Sequence, residues 1–150
     1  MWDGRFSGET DSLMERFNNS LPVDAALIEE DITGSIAWAK ALRGCGVLSA
    51  DDVERVVEAL EGIRRDYARG SVQFLSCDED IHMAVERLLI DRAGEAGAAI
   101  HTGRSRNDQV VCDLRLFVKK HLLLIHGTVS ALQRVLLTRA SREQDVVVPG

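Results

Sequence analysis

Between Ser105 and Arg142 the apolar residues Val111, Val118, Leu122, Ile125, Val129, Leu132 and Leu136 recur at steps of seven, four, three, four, three and four. That rhythm puts them on one face of a helix. A neighbouring stripe, Val110, Leu114, Phe117, Leu124 and Val135, is apolar as well. A helix apolar over so much of its circumference normally has other helices around it. The spacing predicts one helix from about Ser105 to Arg142, longer than usual in a globular domain and suited to the spine of a bundle. The sequence of 150 residues does not supply enough further helices to cover it. Partners are therefore expected, as more chain, other subunits, or both.

The residues before this spine also read as helical. Leu21-Pro22 resembles a helix entry, with Pro22 tolerated in the first turn, and Ile28, Ile32, Ile36 and Ala39 follow at helical spacing until Gly44 and Gly46. Ser49-Ala-Asp-Asp52 has the form of a capping box. It precedes Val53, Val56, Val57, Leu60, Ile63 and Tyr67, an apolar face ending before Gly70. Ser76-Cys-Asp-Glu79 reads as a second such start, ahead of Ile81, Val85 and Leu88. A short helix is expected around Ser12–Phe17, and residues 93–100, with Gly94 and Gly97, read as a flexible connector. The expected architecture is all-α: an N-terminal helical domain, 1–104, followed by the first part of a central helical bundle, 105–150.

Composition narrows the function class. The net charge of −6 conceals an asymmetry: residues 1–100 carry 10 Lys/Arg against 20 Asp/Glu, while residues 101–150 carry 8 against 4. The acidic total weighs against nonspecific nucleic-acid binding. The basic bias after His101 suits a small anion or an acidic subunit surface. No apolar run is long enough to span a membrane, since Leu122–Ile125 is flanked by Lys119, Lys120 and His126. MWDGRFSGE lacks a signal-peptide pattern. Cys45, Cys77 and Cys112 are isolated and odd in number, which fits a reduced, cytoplasmic compartment.

Three stretches carry polar groups in patterns with chemical meaning. In HTGRSRNDQ, Ser105 can cap the long helix with Asp108 at its third position. Arg104, Ser105, Arg106 and Asn107 then gather at the positive end of the helix, where free N–H groups and the macrodipole favour an anion. The guanidinium forks suit carboxylate or phosphate. A capped surface turn with solvated or acid-paired arginines explains the same residues. In CDEDIHMAVE, His82 has Asp78 four residues before it and Glu86 four after, an arrangement that raises proton affinity and orients the ring. A helix-surface histidine in an acidic run is the alternative. His82 and Glu86 make only two candidate metal ligands, and neither His101 nor Cys77 stands at a recognised spacing, so no metal site is expected. Asp31 and Ser35 lie one turn apart beside a stripe carrying Trp38 and Leu42. They read either as a satisfied packing feature or as hydrogen-bonding groups at a helix seam. Trp2, Arg5 and Phe6 suit an N-terminal arm clamped on a neighbour, among other readings.

Together, WDGRFSG, EEDITGSIAWA, DEDIHMAVE, HTGRSRNDQVVCDLRL and DVVVPG resemble the argininosuccinate lyase family, which includes delta-crystallin, within the fumarase/aspartase superfamily. The stretch from His101 to Gln109 separates this branch from fumarase, aspartase and adenylosuccinate lyase. Trp38 departs from the pattern, because many relatives have His or Tyr there; the difference concerns local packing. The resemblance implies a lyase that reversibly splits argininosuccinate into arginine and fumarate with no metal or organic cofactor. It also implies a homotetramer with a central bundle of long helices. Carried onto this sequence, Ser105, Arg106 and Asn107 are expected to bind substrate carboxylates, Ser35 and Asp31 to lie near the amino-acid portion, and Thr102 and Gln109 to flank the pocket. His82 resembles a histidine at the edge of the active site and is the catalytic candidate. Family members continue after VVVPG with a Tyr-Thr-His-Leu-Gln segment bearing an acid/base histidine, then, much later, a loop with a catalytic serine and a lysine. The resemblance covers about the first third of a typical member, so this chain is expected to be inactive alone. Another superfamily succinyl lyase, such as adenylosuccinate lyase, and a non-catalytic crystallin-like protein are the competing readings.

Overall fold

The computed structural model describes residues 12–147. The expectations attached to Trp2, Arg5 and Phe6 fall outside that range. Among the described residues every regular element is helical: α1 (Ser12–Asn18), α2 (Leu21–Asp24), α3 (Ile28–Gly44), α4 (Ala50–Ala68), α5 (Ile81–Ala93), α6 (Glu95–Ala98) and α7 (Arg106–Arg142). Two 3-10 turns, Ala25–Leu27 and Ala99–His101, complete the set. The all-α expectation holds.

Two compact units divide the chain, Met1–Leu114 and Arg115–Gly150. In the first, α3, α4 and α5 pack their apolar faces into one core. Ile28, Ile32, Val56, Leu60, Ile63, Ile81, Val85 and Leu89 are at most 2% exposed there. Burying one such side chain stabilises a fold by about 1.5–3 kcal/mol relative to leaving it in water. The second unit consists of the later turns of α7 and the residues after them. Its stripe residues Leu122, Ile125, Leu132 and Leu136 are all more than half exposed.

Local chemistry accounts for the boundaries. α4 begins at the capping box read from the sequence: the Asp52 N–H donates to Ser49 Oγ at 3.1 Å, and the Ser49 N–H donates to Asp52 Oδ2 at 3.1 Å. The segment after Leu21-Pro22 is broken where the sequence suggests one helix, with α2 and a 3-10 turn before α3. Tyr67 Oη bonds the Ala25 carbonyl at 3.3 Å, tying that turn to α4.

Two expectations are corrected. The helix carrying His82 does not start at a Ser76 capping box. Asp80 caps it, its Oδ1 accepting from the Met83 N–H. Asp78 is instead drawn into the preceding turn, where its Oδ2 accepts from the Leu75 N–H at 2.8 Å and from Arg87 Nη2 at 2.7 Å. Residues 93–100 are not a loose connector either. Gly94, at φ +60°, makes the sharp turn into α6, and Ala96, Gly97 and Ile100 are buried. At Gly97 an added Cβ would meet the Leu89 carbonyl oxygen at 2.8 Å, so only glycine lets α6 come so close to α5.

Candidate functional site

α3 and α5 place Asp31, Ser35, His82 and Glu86 on facing surfaces. The turn through His101 and Arg104 and the first turns of α7 close the third side with Gln109. These residues, with Val85, Leu89 and Ile100, line one cleft of the first unit. Its empty space is about 270 Å³ with the open mouth included.

The polar groups of the cleft form two linked sets. His82 is buried, and its Nδ1 lies 3.0 Å from Asp31 Oδ1 and 3.3 Å from Asp113 Oδ2. Gln109 Nε2 also donates to Asp31 Oδ1. Burial works to lower the His82 pKa, but hydrogen bonds to Asp113 and Asp31 outweigh it and raise the pKa to about 9. Burial pushes the Asp113 carboxyl above its ordinary range. The bond to His82 opposes that rise, and the nearby Asp31 charge adds to it.

The second set is cationic. Arg104 Nη1 donates to Ser35 Oγ at 2.9 Å. Arg106 Nη1 donates to Gln109 Oε1 at 3.2 Å, and the guanidinium lies 3.4 Å from Glu86 Oε2 and 3.6 Å from Asp80 Oδ2. His101 Nδ1 is 3.5 Å from Glu86 Oε1. At the head of α7 the Asn107 N–H donates to Ser105 Oγ at 3.2 Å, so Ser105 does cap the helix. Fixed guanidinium groups beside a helix N-terminus and a buried imidazole can hold carboxylates. The neighbouring carboxylates of Asp31 and Glu86 can hold a cationic or amino group.

Of the residues expected from the sequence, Asp31, Ser35, His82 and Gln109 come together in the cleft. Arg106 joins them at its edge through Gln109 and Glu86. Thr102, Ser105 and Asn107 are exposed and do not line it. The partners expected for His82 change: Asp78 is paired with Arg87, and Glu86 faces Arg106 and His101, while Asp31 and Asp113 engage the ring. The ligand atoms of Asp31, His82 and Asp113 all lie within 4.8 Å of one another, a grouping invisible to spacing within one helix. Asp113 is not among the residues that the sequence patterns single out. Its signal is positional: an acid four residues after Gln109 and seven after Arg106 shares their face of α7.

Comparison with known proteins places this geometry in context. Residues 4–150 match the family described as Lyase. The argininosuccinate lyase of Desulfitobacterium hafniense is 44% identical over 150 residues, all of this chain and 32% of the relative. That of Chlamydomonas reinhardtii is 45% identical over the same extent, again 32% of its own length. The Staphylococcus aureus enzyme of that name is 42% identical over 149 residues, 99% of this chain and 32% of its own. The chain thus spans about a third of the length of the curated relatives it matches.

Proposed function

The chain belongs to the lyase family that its residues 4–150 match, and we propose that it forms the N-terminal portion of an argininosuccinate lyase, a carbon–nitrogen lyase of arginine biosynthesis. In that reading residues 1–104 are an N-terminal helical domain and residues 105–150 open the central bundle of a cytoplasmic homotetramer. The observation that carries the proposal is the pairing of Arg104 with Ser35 across a cleft that also holds Asp31, His82 and Gln109. The relatives' shared name favours argininosuccinate over the substrate of an adenylosuccinate lyase, and an enzyme over a structural protein.

The chemistry follows from charge. Elimination of fumarate removes a proton beside a carboxylate, so negative charge grows on that carboxylate in the transition state. Positioned cations and N–H groups stabilise it, and such preorganised electrostatics is usually the largest catalytic contribution. Arg106, with Ser105 and Asn107 at the head of α7, binds the succinyl carboxylates. Arg104 holds Ser35 in place beside Asp31, near the amino-acid portion, and Gln109 borders the pocket. His82 contributes charge rather than a free base, since an imidazole with a pKa of about 9 remains protonated near neutrality. General acid and base catalysis must then come from groups outside these residues, as a complete elimination requires both. No turnover is expected of the chain by itself.

The test is an assembly in which this chain replaces the matching N-terminal third of the Staphylococcus aureus relative. Fumarate together with arginine should raise its thermal midpoint, as a ligand bound only to the native state does. Arg106→Ala should abolish the rise. A folded assembly with no ligand-dependent stabilisation would overturn the binding assignment.

A further inference from the structure

Asp113 is fully buried, and neither of its carboxylate oxygens has a conventional hydrogen-bond partner apart from its approach to His82 Nδ1. A buried carboxylate so placed is costly unless its charge is answered. The backbone makes room for it: a Cβ at Gly34 on α3 would sit 3.1 Å from Asp113 Oδ1 and 3.7 Å from Arg104 Nη2. Two carboxylates from different helices therefore converge on one ring nitrogen, and a glycine keeps the third side open.

We propose that Asp113 is a positioning residue that, with Asp31, holds His82 as an imidazolium whose Nε2–H is presented to the cleft as a fixed donor for a substrate carboxylate. With Nδ1 taken up by the aspartates, Nε2 is the polar atom left to the ring, and His82 is among the residues lining the cleft. The charged groups around it are Asp31 from α3, Asp80 and Glu86 at and within α5, Asp113 from α7, and Arg104 with His101 from the intervening turn. Those nearest the ring are acids, which favour its charged form. A metal ion in place of the second proton is disfavoured, because the Gln109 amide already aims a positive N–H at Asp31 Oδ1, the atom that would face the ion. The raised pKa of His82 agrees with this arrangement. The donor role rests on the reading of the cleft as a carboxylate site; the protonation of the ring does not.

Two measurements separate those parts. In the chain labelled with nitrogen-15 histidine, with His82 assigned through His82→Gln, the ring should titrate above about pH 8, beyond the ordinary value for histidine. Asp113→Asn should move that midpoint down by at least about one unit, and Asp113→Glu should restore most of it. A midpoint near the ordinary value in the unsubstituted chain, or one indifferent to Asp113→Asn, overturns the proposal whatever the cleft binds. In the assembled enzyme described above, Asp113→Asn should raise KM for argininosuccinate about tenfold near pH 8 but little near pH 6, where an unassisted imidazole is protonated anyway. A defect equal at both pH values overturns the donor role. If His82 titrates high and no carboxylate ligand binds at either pH, the cleft reading fails and the donor role with it, while ring protonation by Asp113 stands.

Discussion

Asp78 lies in an acidic run, yet it is fully buried and bonded on both oxygens, to Arg87 Nε at 2.9 Å and to Arg87 Nη2 and the Leu75 N–H. Burial raises its pKa, but the bonds from Arg87 and the Leu75 N–H hold it below the ordinary carboxylate value. Its stabilisation is present above the unfolded value of 3.8 and is lost as pH falls through the depressed folded value. Asp78→Ala leaves Arg87 without its buried partner and should cost about 3 kcal/mol, read as a lower urea midpoint. A change within error would show the pair to be idle. His82 has the opposite sign. Its folded pKa is raised, so its contribution is fully present below about 6.5 and is lost as pH rises through about 9. Asp113, also raised, adds a loss in the same direction as pH climbs above its ordinary range. The thermal midpoint should therefore fall between about pH 6.5 and 9, and His82→Gln should flatten that fall; a flat profile in the unsubstituted chain contradicts the triad.

At the scale of elements, what was legible in the sequence depended on how local the determining chemistry is. The capping box at Ser49 and the apolar face from Val53 to Ile63 are local, and α4 forms where they predict. The limits of α7, Arg106–Arg142, follow from an uninterrupted apolar rhythm. The Ser76–Glu79 box does not start α5, because Asp78 inside it is drawn into the preceding turn by its bonds to the Leu75 N–H and Arg87, and Asp80 caps the helix instead. Residues 93–100 looked flexible because glycine signals freedom in isolation, whereas Gly97 is selected by close packing of α6 on α5. Gly97→Ala should therefore destabilise the fold by about 1–3 kcal/mol, although alanine is the better helix former. Neutral or increased stability in urea unfolding would contradict that packing. The candidate site was legible one helix at a time: Asp31, Ser35 and His82 each carry a local pattern, Gln109 enters only through the family resemblance, and Asp113 acts across helices and leaves only a positional trace in the sequence.

For the whole molecule, the first unit buries a contiguous core, while Leu122, Leu123, Ile125, Leu132 and Leu136 on α7 are each more than half exposed. None of the described helices is long and apolar enough to cross a membrane. Exposed apolar surfaces of such extent commonly mark association sites in proteins. The chain should sediment as concentration-dependent oligomers, and the pair Leu122→Glu and Ile125→Glu should shift it toward monomer. Monomer at every concentration would contradict association through this helix. The central claim is that these residues form the substrate-carboxylate portion of an argininosuccinate lyase whose acid and base lie elsewhere. The most direct test follows the ultraviolet absorbance of fumarate when argininosuccinate is added to the chain alone and to the assembly carrying the remaining two-thirds of the Staphylococcus aureus relative. The account predicts no turnover by the chain, turnover by the assembly, and loss of that turnover with Arg106→Ala. Turnover by the chain alone, or a folded assembly that produces no fumarate, would contradict it.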